Sequence, residues 1–280
     1  TWIRRLAAAA GVAACAGVAR AEGGDTPDAT KTPTFAGELR WFFFALDGDL
    51  RVNDVDQTGT AVKGTILEFG REYDLDTQSG APELVARLNL GVGFAFSGSY
   101  MEMGSDGNRV LRRDVTYAGQ TYNAGDYLGT ALDLRYSRAM VEWHVVDLLG
   151  VAAGIAVGGA YIRFDAEIER TSGNPPVTTT THEIGHAPFP LLAGIVRVAP
   201  VKWFYARAEV AGGGGTWDDL QGYWLDAAAG AYLLPMKNIS IGGGVRVLHL
   251  DIQNLDMGKN AEAEGRFTLY GVYAAIEVRL

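Results

Sequence analysis

Read backwards from Leu280, apolar residues fill every second position: Leu280, Val278, Ile276, Ala274, Val272 and Tyr270, with Arg279, Glu277, Ala275, Tyr273 and Gly271 between them. Successive side chains of a β-strand point to opposite faces, so this segment has one apolar face and one mixed, charged face. The two-residue period recurs along most of the chain. Residues 84–100 put Leu84, Leu88, Leu90, Val92, Phe94 and Phe96 on one face and Arg87, Asn89, Ser97 and Ser99 on the other. That run is longer than the usual soluble strand of about 5–6 residues. Residues 151–168 set Ala152, Gly154, Ala156, Ile162 and Phe164 against Tyr161, Arg163, Asp165 and Glu167. Residues 223–233 and 239–249 alternate in the same way.

Less regular strands fill the gaps, over 37–46, 62–75, 130–146, 189–198 and 202–211. In 130–146 the apolar set shifts from Leu132, Leu134 and Tyr136 to Ala139, Val141, Trp143 and Val145. One extra residue near Ser137 and Arg138 would produce that shift, which predicts a β-bulge. Together these segments predict about ten strands, each long enough to cross a bilayer at a tilt.

The connections alternate in length. Tight links fall near Thr77–Pro82, Asp147–Gly150, Ala199–Lys202 and Leu234–Asn238. Longer polar ones fall near Asp47–Ala61, Met103–Ala124, Glu169–Thr181, Gly212–Gln221 and Asn254–Gly265. With both termini at one end, the short turns collect on one side and the long loops on the other. An antiparallel up-and-down β-barrel in a membrane sorts its loops this way.

The start of the chain reads as a secretory signal over residues 1–21. Arg4 and Arg5 form its positive region, Leu6–Val18 its apolar region, and Ala19-Arg20-Ala21 a cleavage site. Val12-Ala13-Ala14-Cys15 offers a second reading, as a lipoprotein box with Cys15 lipidated. Cys15 is the only cysteine, so cleavage after Ala21 leaves no disulfide framework and no cysteine metal site. Residues 22–34 read as a mobile polar leader on the periplasmic side, and 35–280 as the barrel. The net charge is −9, three units more negative once Arg4, Arg5 and Arg20 are removed. An acidic chain without clustered Lys and Arg is not built to bind nucleic acid. The longest apolar run, Leu148–Ile162, would span about 22 Å as a helix, short of the roughly 30 Å hydrocarbon core.

With these features the chain resembles a Gram-negative outer-membrane β-barrel protein of the small single-chain class. Its terminal strand is similar to the assembly signal of that class, although it ends in Leu280 rather than an aromatic residue. The resemblance implies localisation in the bacterial outer membrane, with outer-membrane lipid and the barrel-assembly machinery as partners. It implies no cofactor.

In that architecture the apolar face meets lipid and the charged face lines the lumen. The lumen would then hold Arg40, Arg87, Asp133, Arg135, Glu142, Arg163, Asp165, Glu167, Arg207, Glu209, Arg246, Glu277 and Arg279. Nearly every basic residue among them is arginine, whose fork pairs with carboxylates in fixed geometry. Trp41, Trp143, Trp203 and Tyr232 fall near strand ends, where an interfacial aromatic girdle would place them.

Sites for chemistry are weak. His182-Glu183-Ile184-Gly185-His186 matches H-E-x-x-H, which works in zinc proteases because a helix puts both histidines on one face. Here threonines precede it, Gly185 interrupts it and Pro188 and Pro190 follow, so the segment is strand or loop. In a strand the two histidines stand about 13 Å apart, too far to share one zinc. The motif predicts no metal site. His249 and Asp251 share a strand face near an outer loop, and with Ser97 and Ser99 they define a candidate rim hydrolase site. Gly212–Gly215 reads as a loop entrance, since no helix follows to make a phosphate cradle.

The sequence thus predicts a non-enzymatic barrel with no catalytic residues, either structural or a narrow pore for small solutes. A salt-bridge network largely plugs its lumen, because a barrel of about ten strands has little free interior. The alternative is a barrel whose long loops bind an external ligand or partner.

Overall fold

The computed structural model describes residues 27–55, 61–69, 78–91, 93–117, 120–148, 150–172, 177–217, 220–258 and 261–280. The expected signal segment 1–21, Cys15 and the first part of the leader lie outside the described residues.

Ten long strands make the wall: β1 (Phe35–Val55), β4 (Gln78–Gly91), β5 (Phe94–Val110), β8 (Tyr127–Leu148), β9 (Val151–Ser172), β10 (Val177–Val201), β11 (Phe204–Trp217), β12 (Leu220–Met236), β13 (Ile239–Gly258) and β14 (Ala261–Arg279). Four short ones, β2 (Ala61–Val62), β3 (Leu67–Glu68), β6 (Val115–Tyr117) and β7 (Gln120–Tyr122), belong to the long-loop end. Each wall strand pairs antiparallel with its neighbour, and β14 returns to β1 from Ala36↔Arg279 to Asp54↔Ala261. The sheet is therefore a closed ten-stranded up-and-down barrel without a free edge. Phe35 and Leu280 exchange backbone hydrogen bonds at the short-turn end (3.1 and 2.9 Å). The closing strand pairs with β1 through the Leu39–Ala45 segment, from Leu39↔Ile276 to Ala45↔Tyr270.

The number of strands matches the expectation while two of the segments do not. Residues 84–100 belong to two strands, not one, β4 ending at Gly91 and β5 beginning at Phe94. Gly91 (φ 74°) and Gly93 (φ 83°) adopt the left-handed backbone that a tight turn between them requires. Leu88 and Leu90 before the turn and Phe94 and Phe96 after it all point outward, so the alternation runs through the reversal unbroken. Of the expected strand 62–75, only Val62 and β3 take strand form, as short pairings with β1; residues 70–75 lie outside the described residues. One segment counted once too often offsets another counted once too few.

The strands run from 14 to 25 residues, whereas about 9–11 suffice to cross the hydrocarbon core. Much of what reads as long loop is strand. Gly212–Gly215, expected as a loop entrance, continues β11.

Along the barrel axis the meaning of the alternation reverses. In the half nearer the short turns, apolar side chains point outward, among them Phe43, Phe96, Val157, Leu192, Val245 and Val272, each at least half exposed. In the half nearer the long loops, apolar side chains point inward. Leu132, Leu134 and Tyr136 on β8 are buried in the lumen, while Val141 and Trp143 further down the same strand face out. No bulge occurs at Ser137 and Arg138, because the β8–β9 register is continuous there and shifts only between His144 and Val146. What changes along β8 is the medium outside the wall.

The outer belt yields a first prediction. Val272, 55% exposed and flanked by Phe43 and Val245, lies in the lipid-facing belt. Val272→Arg is expected to lower unfolding stability in lipid vesicles by about 2–4 kcal/mol. Arginine at Thr216, on the polar outer wall, leaves it unchanged. Denaturant titration of both variants in the same vesicles measures the difference.

Candidate functional site

Charged, aromatic and apolar side chains converge in the interior, which is filled in two layers. The layer nearer the short turns is ionic. Glu38 takes a bidentate pair from Arg40 (2.8 and 2.9 Å) and a hydrogen bond from the Tyr232 hydroxyl (2.7 Å). Glu83, completely buried, is shared by Arg40 (3.3 Å) and Arg246 (2.9 Å). Arg246 also forms a bidentate pair with Asp226 (2.9 and 2.8 Å), which accepts from the Tyr136 hydroxyl at 3.2 Å and lies 3.5 Å from Arg138. Arg138 pairs with Glu209, which also accepts from Arg207 at 2.8 Å. Arg87 pairs with Glu142, and Glu277 accepts from Tyr205 and Ser240 (both 2.9 Å) beside Arg279. Seven arginines of this layer, Arg40, Arg87, Arg138, Arg197, Arg207, Arg246 and Arg279, thus stand among six carboxylates, Glu38, Glu83, Glu142, Glu209, Asp226 and Glu277.

Aromatic rings and small residues complete this layer. Tyr205 and Tyr232 stack at 4.7 Å, and Arg246 lies over Phe42 and Tyr136. Gly158 on β9 and Gly244 on β13 have no room for a side chain. A Cβ on Gly244 would come within 2.7 Å of the Tyr273 hydroxyl.

The second layer is apolar. Leu50, Leu132, Phe164, Leu250, Ile252 and Phe267 meet there, with Phe164 and Phe267 edge to face at 4.9 Å. The inner segment carrying Leu67 and Phe69, together with the β6–β7 hairpin, folds into this end, and Thr65 and Thr116 exchange hydrogen bonds of 2.8 and 2.9 Å. A cavity of about 20 Å³ remains among Leu50, Phe69, Leu132, Phe164, Ile252 and Phe267, room for a water-sized molecule and no solute.

The leader closes the other end. Residues 27–34 are not a free linker: Ala29 is fully buried, its amide donates to the Lys202 carbonyl (2.6 Å), and its carbonyl accepts from Arg197 (2.7 Å). Arg279 holds the Lys31 carbonyl at 2.7 Å. The Thr30 hydroxyl, 2.6 Å from Asp28, holds that carboxyl below its ordinary range.

Of the residues that the sequence assigns to the lumen, Arg40, Arg87, Glu142, Arg207, Glu209, Arg246, Glu277 and Arg279 line the ionic layer. Asp133, Arg135, Arg163, Asp165 and Glu167 do not. They lie in the long-loop half, where the inward positions are Leu132, Leu134, Ile162, Phe164 and Ala166, so alternation turns these five outward. Arg135 pairs there with Glu102 and Arg163 with Asp165. Tyr232, expected in an interfacial girdle, is instead buried in the lumen, while Trp41, Trp143 and Trp203 are exposed on the outer wall.

Glu38, Glu83, Arg138, Arg197 and Asp226 complete the network without having been singled out. Glu38 and Asp226 share faces with Arg40 and with the small residues of β12, a signal present in the sequence. Glu83 was hidden by an expected turn, and Arg138 by an expected bulge.

The rim hydrolase site does not assemble. Ser97 and Ser99 are buried in the lumen near the short-turn end, whereas His249 sits on the outer wall, bonded to Thr268 (2.8 Å) and near the Tyr223 hydroxyl (3.3 Å). Asp251 pairs with Arg266 at 3.0 Å. The H-E-x-x-H segment lies in strand β10, not in a helix. The side chains of His182 and Glu183 lie outside the described residues, and His186 stacks on Tyr161, its Nδ1 2.6 Å from the hydroxyl. No group of three metal-ligating side chains occurs among the described residues.

A closed barrel with a lipid-facing belt and a packed interior defines the class: a small transmembrane β-barrel of the outer-membrane type. No protein-family model matches the chain, and no curated protein sequence matches it. Among solved structures it is similar to the outer-membrane protease OmpT of Escherichia coli (9% identity, TM-score 0.45, covering 90% of this chain and 100% of that one). It is also similar to the transport unit of the autotransporter AIDA-I of Escherichia coli (8%, TM-score 0.41, 96% of each chain). A third is the attachment invasion locus protein Ail of Yersinia pestis (9%, TM-score 0.29, 86% and 98%). Likeness at this level carries no information about activity; the class rests on the closed sheet and its surface.

The network makes its members unequal. Glu83→Ala leaves Arg40 and Arg246 buried without a shared acceptor and is expected to cost about 3–5 kcal/mol. Arg135→Ala breaks an outer-wall pair whose two side chains are 38% and 20% exposed, and is expected to cost under about 1 kcal/mol. Unfolding midpoints of the two variants in detergent test the contrast.

Proposed function

We propose that this protein is a sealed, non-enzymatic barrel of the bacterial outer membrane. It anchors the chain in lipid and carries a polar, strand-built rim beyond the membrane. The single observation behind this reading is the doubly filled lumen, an ionic layer in series with an apolar one and a leader seated over the mouth. A small ion crossing it would meet buried paired charges and then the apolar cluster around Phe164 and Phe267. That arrangement favours a structural role over the narrow pore that the sequence alone leaves open.

The barrel-assembly machinery and outer-membrane lipid are the partners this reading requires. A second reading, recognition of an external ligand, draws support from the length of the strands. They continue well past the lipid-facing belt and present outward pairs such as Arg135–Glu102 and Arg266–Asp251.

The refolded protein in a planar bilayer is expected to show no discrete conductance steps. Regular steps of reproducible size would overturn the sealed reading and restore the narrow pore.

A further inference from the structure

The ionic layer holds one guanidinium more than it has carboxylates, and the surplus is local. Arg197 is buried with its guanidinium over the Tyr205 ring at 4.5 Å, donating to the Ala29 carbonyl oxygen. No carboxylate lies within ion-pair distance of it among the described residues. Beside it is a cavity of about 30 Å³ whose charged lining is Arg87, Arg197, Arg207, Arg279, Glu38 and Glu277, roofed by the docked leader.

Neither carboxylate serves Arg197: Glu38 is held by Arg40 and Tyr232, and Glu277 by Tyr205 and Ser240 and paired with Arg279 at 3.5 Å. Arg207 Nε is buried and has no hydrogen-bond partner. A buried cation without a counter-charge is strongly disfavoured, and converging N–H donors around a small void form an anion site. About 10–15 Å³ suffices for a water-sized occupant, so this void takes a single small ion. Phosphate is too large for it.

We propose that this cavity binds one monovalent anion of the halide class, which neutralises the surplus charge at the mouth of the sealed lumen. The site rests on the filled lumen, yet its test is separate from conductance. A conducting barrel would leave a halide result standing, and a halide-free cavity would leave the seal standing.

Crystals of the whole folded protein soaked in sodium bromide are expected to show one anomalous peak in the cavity, within hydrogen-bond reach of Arg197 and Arg207. In detergent, exchanging gluconate for chloride at constant ionic strength is expected to raise the unfolding midpoint in a saturable way. Chloride at about 100 times its Kd favours the folded state by about 100-fold. Arg197→Gln removes the surplus charge and is expected to abolish this chloride dependence, while Lys202→Gln on the exposed turn retains it. A cavity holding only water, or a chloride dependence undiminished in Arg197→Gln, overturns the proposal. Should Arg197→Gln not fold, the bromide map of the native chain decides alone.

Discussion

Closing ten strands into a tube creates an interior slightly wider than side chains fill by themselves in an eight-stranded barrel. That interior has to be occupied, because an empty tube would leave its lining without contacts and a wet one would be a channel. Here it is occupied by side chains from the wall, by the inner segment carrying Leu67 and Phe69, and by the β6–β7 hairpin. The other main features follow from how that filling meets the two media outside the wall.

Where lipid surrounds the barrel, outward positions must be apolar, and the inward ones are free to carry charge because partners lie across the lumen. Arg246 reaches Asp226 on the neighbouring strand and Glu83 across the interior. Where water surrounds the barrel, outward positions are polar and the inward ones form an ordinary apolar core around Phe164 and Phe267. One strand, β8, carries both regimes, with Leu132 and Leu134 inward above and Val141 and Trp143 outward below. The period of two is constant while its sign inverts.

That inversion decides what is legible in the sequence. Alternation shows that these segments are strands, and loop sorting shows that they form an up-and-down barrel. Neither shows where along a strand the lipid stops. Arg163, Asp165 and Glu167 alternate with Ile162 and Phe164 as lumen charges would, yet they stand in water because that stretch of β9 lies beyond the apolar belt. The Gly/Ala run of β9 reads as a lipid face, although its even-numbered positions point inward, where Ala156 and Ala160 are buried and a Cβ on Gly154 or Gly158 would run into the backbone of β8. Hairpins that preserve the alternation across the turn, as Gly91–Gly93 does, conceal the reversal of the chain. Glu83 and Arg138 are concealed for a local reason, the turn expected beside Glu83, where β4 in fact runs on, and the bulge expected at Arg138, where the register is continuous.

The ionic layer also answers a problem of register. A strand apolar on both faces could slip by one residue at little cost, since either set of side chains would suit lipid or core. At the level of the membrane, with an apolar outer face fixed by lipid, an apolar lumen would have created that ambiguity. Charged inward positions remove it. Slipping β1 by one residue would carry Glu38 and Arg40 into lipid, at a cost for the arginine alone of about 2–4 kcal/mol near the midplane. Buried ion pairs add little net stability relative to well-packed apolar groups, whereas the penalty they place on a slipped register is direct. Beyond the membrane the polar outer wall makes the same selection, and an apolar interior is then tolerated. The two layers of the lumen are thus one solution to a single constraint, applied in two media.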